Sequence, residues 1–221
     1  MAVCELDKCE RGIPVEPYYD RGGIVIYNAD CRQVLPFLGK SDLLLTDPPY
    51  GILSGSKSKG SGAGKLKNRI LNRSEIDWDM DPPSIEDLVL LQEKADKQII
   101  WGGNYFDLPA CRGLLVWDKC QPWPNFSQVE VAWTNVDKPA SLFKHDKSKI
   151  DSKTHPTQKP LALMRWCLSF LPDAKTILDP FMGSGTTLVA AKLEGRSAVG
   201  IEINEKYCES AAKRLEQGVL F

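Results

Sequence analysis

The apolar positions of the chain fall into short runs divided by polar turns, the spacing of an alternating α/β protein. Ile24-Val25-Ile26-Tyr27 reads as a strand, and Asp30 then caps a short helix carrying Val34, Leu35 and Leu38. Asp42 to Thr46, built around Leu43-Leu44-Leu45, reads as a strand buried on both faces. Ser84 and Asp87 stand at capping-box spacing for a helix that runs to about Ala95. Strands are expected at Gln98–Trp101, Gly113–Asp118 and Gln128–Thr134, with a further one at Ser141–Lys144. Pro160 suits the first turn of a helix that reaches about Leu171. The rest alternates: strand Lys175–Asp179, helix Thr186–Glu194, strand Ala198–Ile203, helix Glu205–Gln217. This is a parallel βαβ unit. The pattern contains no internal repeat.

Two of these strands end in a carboxylate followed by a tight turn. The first gives Asp47-Pro48-Pro49-Tyr50. The second gives Asp179-Pro180-Phe181-Met182-Gly183-Ser184-Gly185-Thr186-Thr187. In open α/β sheets, ligands bind at the carboxyl ends of strands where the strand order reverses. The two turns can therefore build one site, with a carboxylate–aromatic clamp for a flat base and a glycine turn for a cofactor. Asp81-Pro82-Pro83-Ser84 is an internal control: no apolar strand precedes it and no aromatic follows, so it reads as a turn into a helix. A dinucleotide fingerprint would need a third glycine where Leu188 stands, and a phosphate loop would need Lys after the last glycine. Nicotinamide and nucleoside triphosphate are both poor fits.

Composition narrows the class without choosing a chemistry. A chain of 221 residues with 26% charged and 43% apolar residues fits one soluble domain, 1–221. Seven scattered cysteines form no C-x-x-C pair, so a disulfide framework, a zinc site or any other metal is not expected. With no apolar run long enough for a membrane span, a cytoplasmic protein is expected. Net charge is −1 but unevenly spread. The stretch from Gly51 to about Ile76 is rich in Gly, Ser and Lys and reads as a long mobile loop. It carries Lys57, Lys59, Lys65, Lys67, Arg69 and Arg73 with no acid between Gly51 and Arg73. A second basic stretch includes Lys144 and Lys147. Solvated loops would explain both, but their places beside the motifs favour contact with a polyanion.

In motif content and order the chain resembles the amino-methylating DNA methyltransferases that use S-adenosylmethionine, in the permuted subgroup often called the beta class. The resemblance covers nearly the whole chain. It implies a Rossmann-like methyltransferase fold, a mostly parallel seven-stranded sheet with helices on both faces and circularly permuted motif order. It implies catalytic roles for Asp47, Pro48, Pro49 and Tyr50: acceptors for the amino hydrogens from Asp47 and the Pro48 carbonyl, a stiff turn, and a face for a flipped base. It implies cofactor contacts from Asp30, Cys31, Asp47, Asp179, Phe181, Gly183, Ser184, Gly185, Thr186, Thr187, Glu202 and Ile203. His155, Thr157 and Lys159 belong to a His-Pro-Thr-Gln-Lys-Pro segment that closely resembles the one lining the methionine end in the family. Asp30 reads equally well as a plain helix cap.

Asp at the first clamp position is commoner in the family among adenine N6 enzymes, which favours adenine in DNA as substrate. Alternatives stay open: a cytosine N4 enzyme on the same fold, a catalytically silent partner that binds cofactor or nucleic acid, or an oxidoreductase. A cytosine ring-carbon enzyme would need a Pro-Cys dipeptide, which the chain lacks. Relative to the family the target-recognition region is reduced to about Val136–Thr154, which implies weak or short-motif sequence preference dominated by phosphate contacts. A homodimer is implied by resemblance alone, and the sequence leaves open whether a cognate restriction enzyme accompanies the chain.

Overall fold

A computed structural model describes residues 12–51, 82–122, 127–146 and 158–217. Most of the basic stretch 51–76 therefore lies outside the described residues, as do Lys147, His155 and Thr157. The elements follow the alternation of the sequence. Strand β1 (Tyr19–Arg21) turns back through Gly22-Gly23 into β2 (Ile24–Asn28), followed by α1 (Cys31–Val34) and β3 (Ser41–Thr46). Helix α2 (Ile85–Glu93) leads to β4 (Ala95–Trp101), then β5 (Leu114–Asp118), β6 (Val129–Thr134) and β7 (Ser141–Lys144). Helix α3 (Leu161–Ser169), β8 (Thr176–Asp179), α4 (Thr186–Leu193), β9 (Ser197–Glu202) and α5 (Glu205–Glu216) complete the order.

Local chemistry sets several of these boundaries. The Ser84 hydroxyl accepts from the Asp87 amide while the Asp87 carboxylate accepts from the Ser84 amide, the reciprocal pair that starts α2. That helix ends earlier than its apolar pattern suggests, because Ala95 is already paired with Ser41 in the sheet. Pro160 is the cap of α3 rather than its first turn.

The strands form a single sheet in the order β1-β2-β9-β8-β3-β4-β6-β5-β7. The sheet therefore has nine strands among the described residues, not the seven expected. One extra strand is the β1 hairpin, which pairs antiparallel with β2 and carries too few apolar residues to announce itself. At the other edge, β7 pairs in parallel with β5. From β2 to β4 all pairs are parallel; β6 runs antiparallel to both β4 and β5.

Helices cover both faces, as expected. One apolar layer joins α3, α4 and α5 to the sheet through Leu163, Leu168, Leu188, Ala211 and Leu215. The other joins α1 and α2 through Val34, Leu88 and Leu91. Along β3, Leu43 and Leu45 enter the first layer and Leu44 the second, and all three are fully buried. That accounts for their unbroken apolar run. Asp42 ties the start of β3 to β8, accepting from the amides of Lys175 and Thr176 and from the Thr176 hydroxyl at 2.7–2.9 Å.

On β9, Gly200 lets α4 sit close to the sheet. A Cβ there would lie 2.5 Å from Met182 Sδ and 2.7 Å from a Leu188 methyl. Both neighbours are buried, so Gly200→Ala is expected to cost about 1–3 kcal/mol by overpacking. A thermal midpoint unchanged from the parent would contradict this packing.

Candidate active site

The crossovers leave β3 and β8 in opposite directions. The chain passes from β3 through α2 to β4, and from β8 through α4 to β9. Between them the carboxyl ends of two adjacent parallel strands face an open crevice. Asp47 follows β3 directly and Asp179 ends β8, so both motifs open onto it.

On the β3 side, the Tyr50 hydroxyl donates to Asp47 Oδ1 and Lys159 Nζ donates to Asp47 Oδ2 at 2.5 Å. The same ammonium lies 3.4 Å from the Tyr50 oxygen. The Tyr50 ring stacks on Tyr105 with centroids 4.9 Å apart and planes at 22°. Gly102, with φ +69°, lies directly behind that ring, and a Cβ at Gly102 would overlap Tyr50 Cε1. A tyrosine packs flat here because position 102 has no side chain.

Lys159 is also within 3.0 Å of Glu130 Oε2, an ion pair outside hydrogen-bond geometry. Glu130 Oε1 meets Lys119 Nζ at 2.5 Å. Both lysines are buried. Burial alone would lower the Lys159 pKa, yet Asp47, Glu130 and Tyr50 outweigh it and hold the ammonium well above the usual lysine value. Burial pushes the Asp47 carboxyl up while Lys159 works against that rise. The ammonium decides this pair: a proton leaving Lys159 would strand two carboxylates beside one another. Glu130, despite burial, is drawn down to about 2 by Lys159 and Lys119.

On the β8 side, Asp179 Oδ1 accepts from the Thr46 hydroxyl at 2.8 Å and the Phe181 amide at 3.2 Å. Burial raises its carboxyl to about 6. The turn that follows has Gly183 and Gly185 in the left-handed region, at φ +50° and +74°. A Cβ on Gly183 would meet nothing within 4 Å, whereas one on Gly185 would lie 2.7 Å from Ala211 Cβ on α5. From that helix Arg214 Nη1 donates to the Ser184 carbonyl at 2.5 Å and lies 3.2 Å from both the Ser184 and Thr186 hydroxyl oxygens. Glu202, at the end of β9, accepts from the Gly183 amide at 3.1 Å and the Asn204 amide at 2.7 Å. Burial lifts its carboxyl to about 7.

One cavity of about 280 Å³ connects the two halves. Among the sequence-derived candidates it is lined by Asp30, Cys31, Asp47, Pro49, Lys159, Asp179, Phe181, Gly183, Ser184, Thr186, Thr187, Glu202 and Ile203. Pro48, Tyr50 and Gly185 are not in the wall; Tyr50 reaches the site through Asp47, and Gly185 shapes the turn. Asp30 both lines the cavity and caps α1, and its carboxylate is gripped by Arg32 at 2.6–3.0 Å. That arginine holds Asp30 below the usual carboxylate range. Lys144 is exposed at the carboxyl end of β7, four strands from β3 and at the same end of the sheet.

Several residues in or behind the wall are not among the sequence-derived candidates. Pro82 and Pro83, read as a plain turn, lead into α2 and also wall the cavity. Gln158, which Ser184 Oγ meets at 3.4 Å, sits inside the His-Pro-Thr-Gln-Lys-Pro segment and could have been read from it. Glu130 and Arg214 lie on a strand and a helix among ordinary polar positions, with no local signal.

The wall holds the acids Asp30 and Glu202, the glycine turn and the part-buried carboxylate of Asp47, which Tyr50 meets from behind. An elongated ligand with hydroxyls would fit against Glu202 and Gly183, leaving Asp47 for a second molecule.

Known proteins resemble this chain in sequence and in fold. Residues 93–213 match a family model described as DNA methylase. The chain is 27% identical to the type II methyltransferase M2.DpnII of Streptococcus pneumoniae, covering 91% of this chain and 92% of that protein. It is 26% identical to the type II methyltransferase M2.LlaDCHI of Lactococcus lactis subsp. cremoris, covering 93% and 94%. The fold matches the M1.HpyAVI–SAM complex with a TM-score of 0.58 and 24% identity, over 86% of this chain and 99% of that one. It matches the PvuII DNA methyltransferase, described as cytosine-N4-specific, with a TM-score of 0.65 and 18% identity, over 95% and 92%. With its family model spanning more than half of its length, the chain belongs to the DNA methylase family.

Proposed function

We propose that this chain is an S-adenosylmethionine-dependent DNA methyltransferase of the permuted subgroup, acting on the N6 amino group of adenine. The observation that carries the reading is the shared cavity: Asp47 and Pro49 line the same wall as the glycine turn and Glu202. Support for adenine comes from the aspartate at the first clamp position, the commoner residue among adenine N6 enzymes of this family.

In this reading Glu202 would accept from the ribose hydroxyls of the cofactor, and Asp30 with Ile203 would border its adenine. The backbone of Gly183 and Ser184 would hold its amino acid end, together with Lys159. The cofactor supplies a methyl group on a sulfonium sulfur, already activated for displacement. The protein's part is positioning and electrostatics. Asp47 Oδ1 and the Pro48 carbonyl accept from the target amino group and turn its lone pair toward the methyl. Tyr50, freed of its bond to Asp47, stacks on the flipped base. With the methyl group supplied by the cofactor, Asp47 would stabilise the positive charge that develops on the target nitrogen, and the surplus proton would leave to solvent. The basic residues from Lys57 to Arg73, with Lys144 and Lys147, contact phosphates. The stretch 136–154 serves as a reduced recognition segment in a single domain, so sequence preference is short or weak. A homodimer, a cytoplasmic setting and a cognate restriction enzyme belong to the same proposal.

The test is incubation with unmethylated DNA and isotopically labelled S-adenosylmethionine, followed by nucleoside mass spectrometry. Labelled N6-methyladenine is expected. Labelled N4-methylcytosine would keep the mechanism and reverse the base. Absence of label in DNA, with cofactor binding verified, would overturn the reading. Asp47→Ala is expected to reduce transfer by at least about 10²-fold while cofactor affinity changes little; retained transfer would remove Asp47 from the mechanism.

Glu202 gives a pH dependence. Its folded carboxyl titrates near 7, above the ordinary value of 4.5. Only the ionised form accepts from both ribose hydroxyls, so cofactor affinity should rise as pH increases through about 7 and then level off. The same shift acts on stability with the opposite sign: the native state keeps a proton that the unfolded chain has lost, so stability falls between about 4.5 and 7. Glu202→Gln should flatten both dependences in calorimetric titration and thermal melts. A pH-independent affinity in the parent protein would exclude the ribose role.

A further inference from the structure

Lys119, Glu130, Lys159 and Asp47 form a row of alternating charge running inward from β5 and β6 to the end of β3. The contacts are 2.5 Å for Lys119 to Glu130, 3.0 Å for Glu130 to Lys159 and 2.5 Å for Lys159 to Asp47. Such a row is expensive: charges taken out of water are replaced at little cost by apolar side chains of the same volume. The fold does not ask for these charges. The β5–β6 ladder is complete in backbone pairing, and Glu130 sits opposite Trp117 in it. Buried ionisable groups that perturb one another beside a cavity are characteristic of functional sites.

We propose that Glu130, backed by Lys119, is a positioning residue for methyl transfer: it holds Lys159 where its ammonium pins Asp47 Oδ2 and leaves Oδ1 to face the target amino group. This rests on the amino-transfer reading above. Two oxygens of one carboxylate then have separate duties. Oδ2 is anchored by a buried cation. Among the described residues, Oδ1 accepts from the Tyr50 hydroxyl, a donor that leaves when Tyr50 moves onto a base. Without an anchor on Oδ2, the carboxylate would turn about its own axis and present either oxygen, and an acceptor displaced by about 1 Å can cost roughly 10²-fold in rate. Glu130 reaches neither cofactor nor base in this arrangement. It acts through Lys159.

The groups facing Lys159 are Asp47 and Tyr50 from the β3 turn and Glu130 from β6, with Lys119 beyond it and Cys167 on α3. Of these, Glu130 can be neutralised without touching the clamp. Glu130→Gln keeps the shape and removes one of the two carboxylates that keep Lys159 protonated. Transfer should fall by roughly 10- to 100-fold in kcat, with cofactor affinity within about threefold of the parent. The alkaline limb of the kcat profile should move to lower pH, because an ammonium facing one anion loses its proton sooner than one facing two. A merely structural glutamate would lower the folded fraction and leave that limb in place. In a Lys159→Gln background, Glu130→Gln should add little further loss, since both act through the same anchor.

Parent transfer to DNA is measured first, and its absence with cofactor bound would overturn the amino-transfer reading itself. With the parent active, a Glu130→Gln enzyme of unchanged kcat, or losses that multiply independently with Lys159→Gln, would overturn this inference alone. If Glu130→Gln does not fold, Glu130→Asp carries the test with the charge kept and the reach shortened. A kcat reduced about tenfold with an unmoved alkaline limb is expected there, and a parental kcat would overturn the proposal.

Discussion

From β3 the chain crosses to β4 through α2, and from β8 to β9 through α4, so two neighbouring strands part in opposite directions. Each crossover covers a different face of the sheet, and neither can cover the end where the strands separate. That gap is where the cavity lies. It brings the Asp47 turn and the glycine turn, far apart in sequence, onto one wall. The contacts around it serve to hold this geometry. Asp42 fixes the start of β3 against β8, and Arg214 fixes the glycine turn from α5. Gly200 allows α4 to sit low enough on the sheet for that turn to reach β9.

Stability runs against these arrangements at several points. Asp179 is a buried and Glu202 a part-buried carboxyl, lifted to about 6 and about 7, so each ionises at a cost near neutral pH. Lys159 is buried with two carboxylates around it. A chain selected for stability alone would fill these positions with apolar side chains. Their concentration along one crevice, while the two apolar layers hold the rest of the sheet, locates the part of the molecule where rigidity is spent on chemistry.

What the sequence made legible was local. Asp47 to Tyr50 and Phe181 to Thr187 are contiguous turns, and a turn's geometry is written in its prolines and glycines. The alternation of strands and helices was visible because the central strands are apolar on both faces and several helices start at recognisable caps. The nine-strand count was not legible, because β1 is three residues long with a single buried side chain and exists only by pairing with β2. Glu130 was not legible for a different reason. On a strand that alternates in and out, one more acidic residue is indistinguishable from a solvent-facing one until Lys119 and Lys159 are found beside it. Arg214 likewise lies among the polar positions of an amphipathic helix. Pairings between distant segments leave no trace in the spacing of either one.

The position of β3 has a consequence for how the molecule is made. Its central leucines pair with β8 at Ile177 and Leu178, more than 130 residues further along the chain. At ribosomal speeds of about 5–20 residues per second, that partner emerges about 7 to 27 seconds after β3 does. Until then one flank of Leu43-Leu44-Leu45 has no strand beside it, in a segment apolar enough to pair with any edge it meets. The arrangement that brings the clamp and the glycine turn together therefore gives the nascent chain an interval of exposure. Conditions that lengthen it, such as slow translation or crowding by copies of the same chain, should show first as aggregation through this strand.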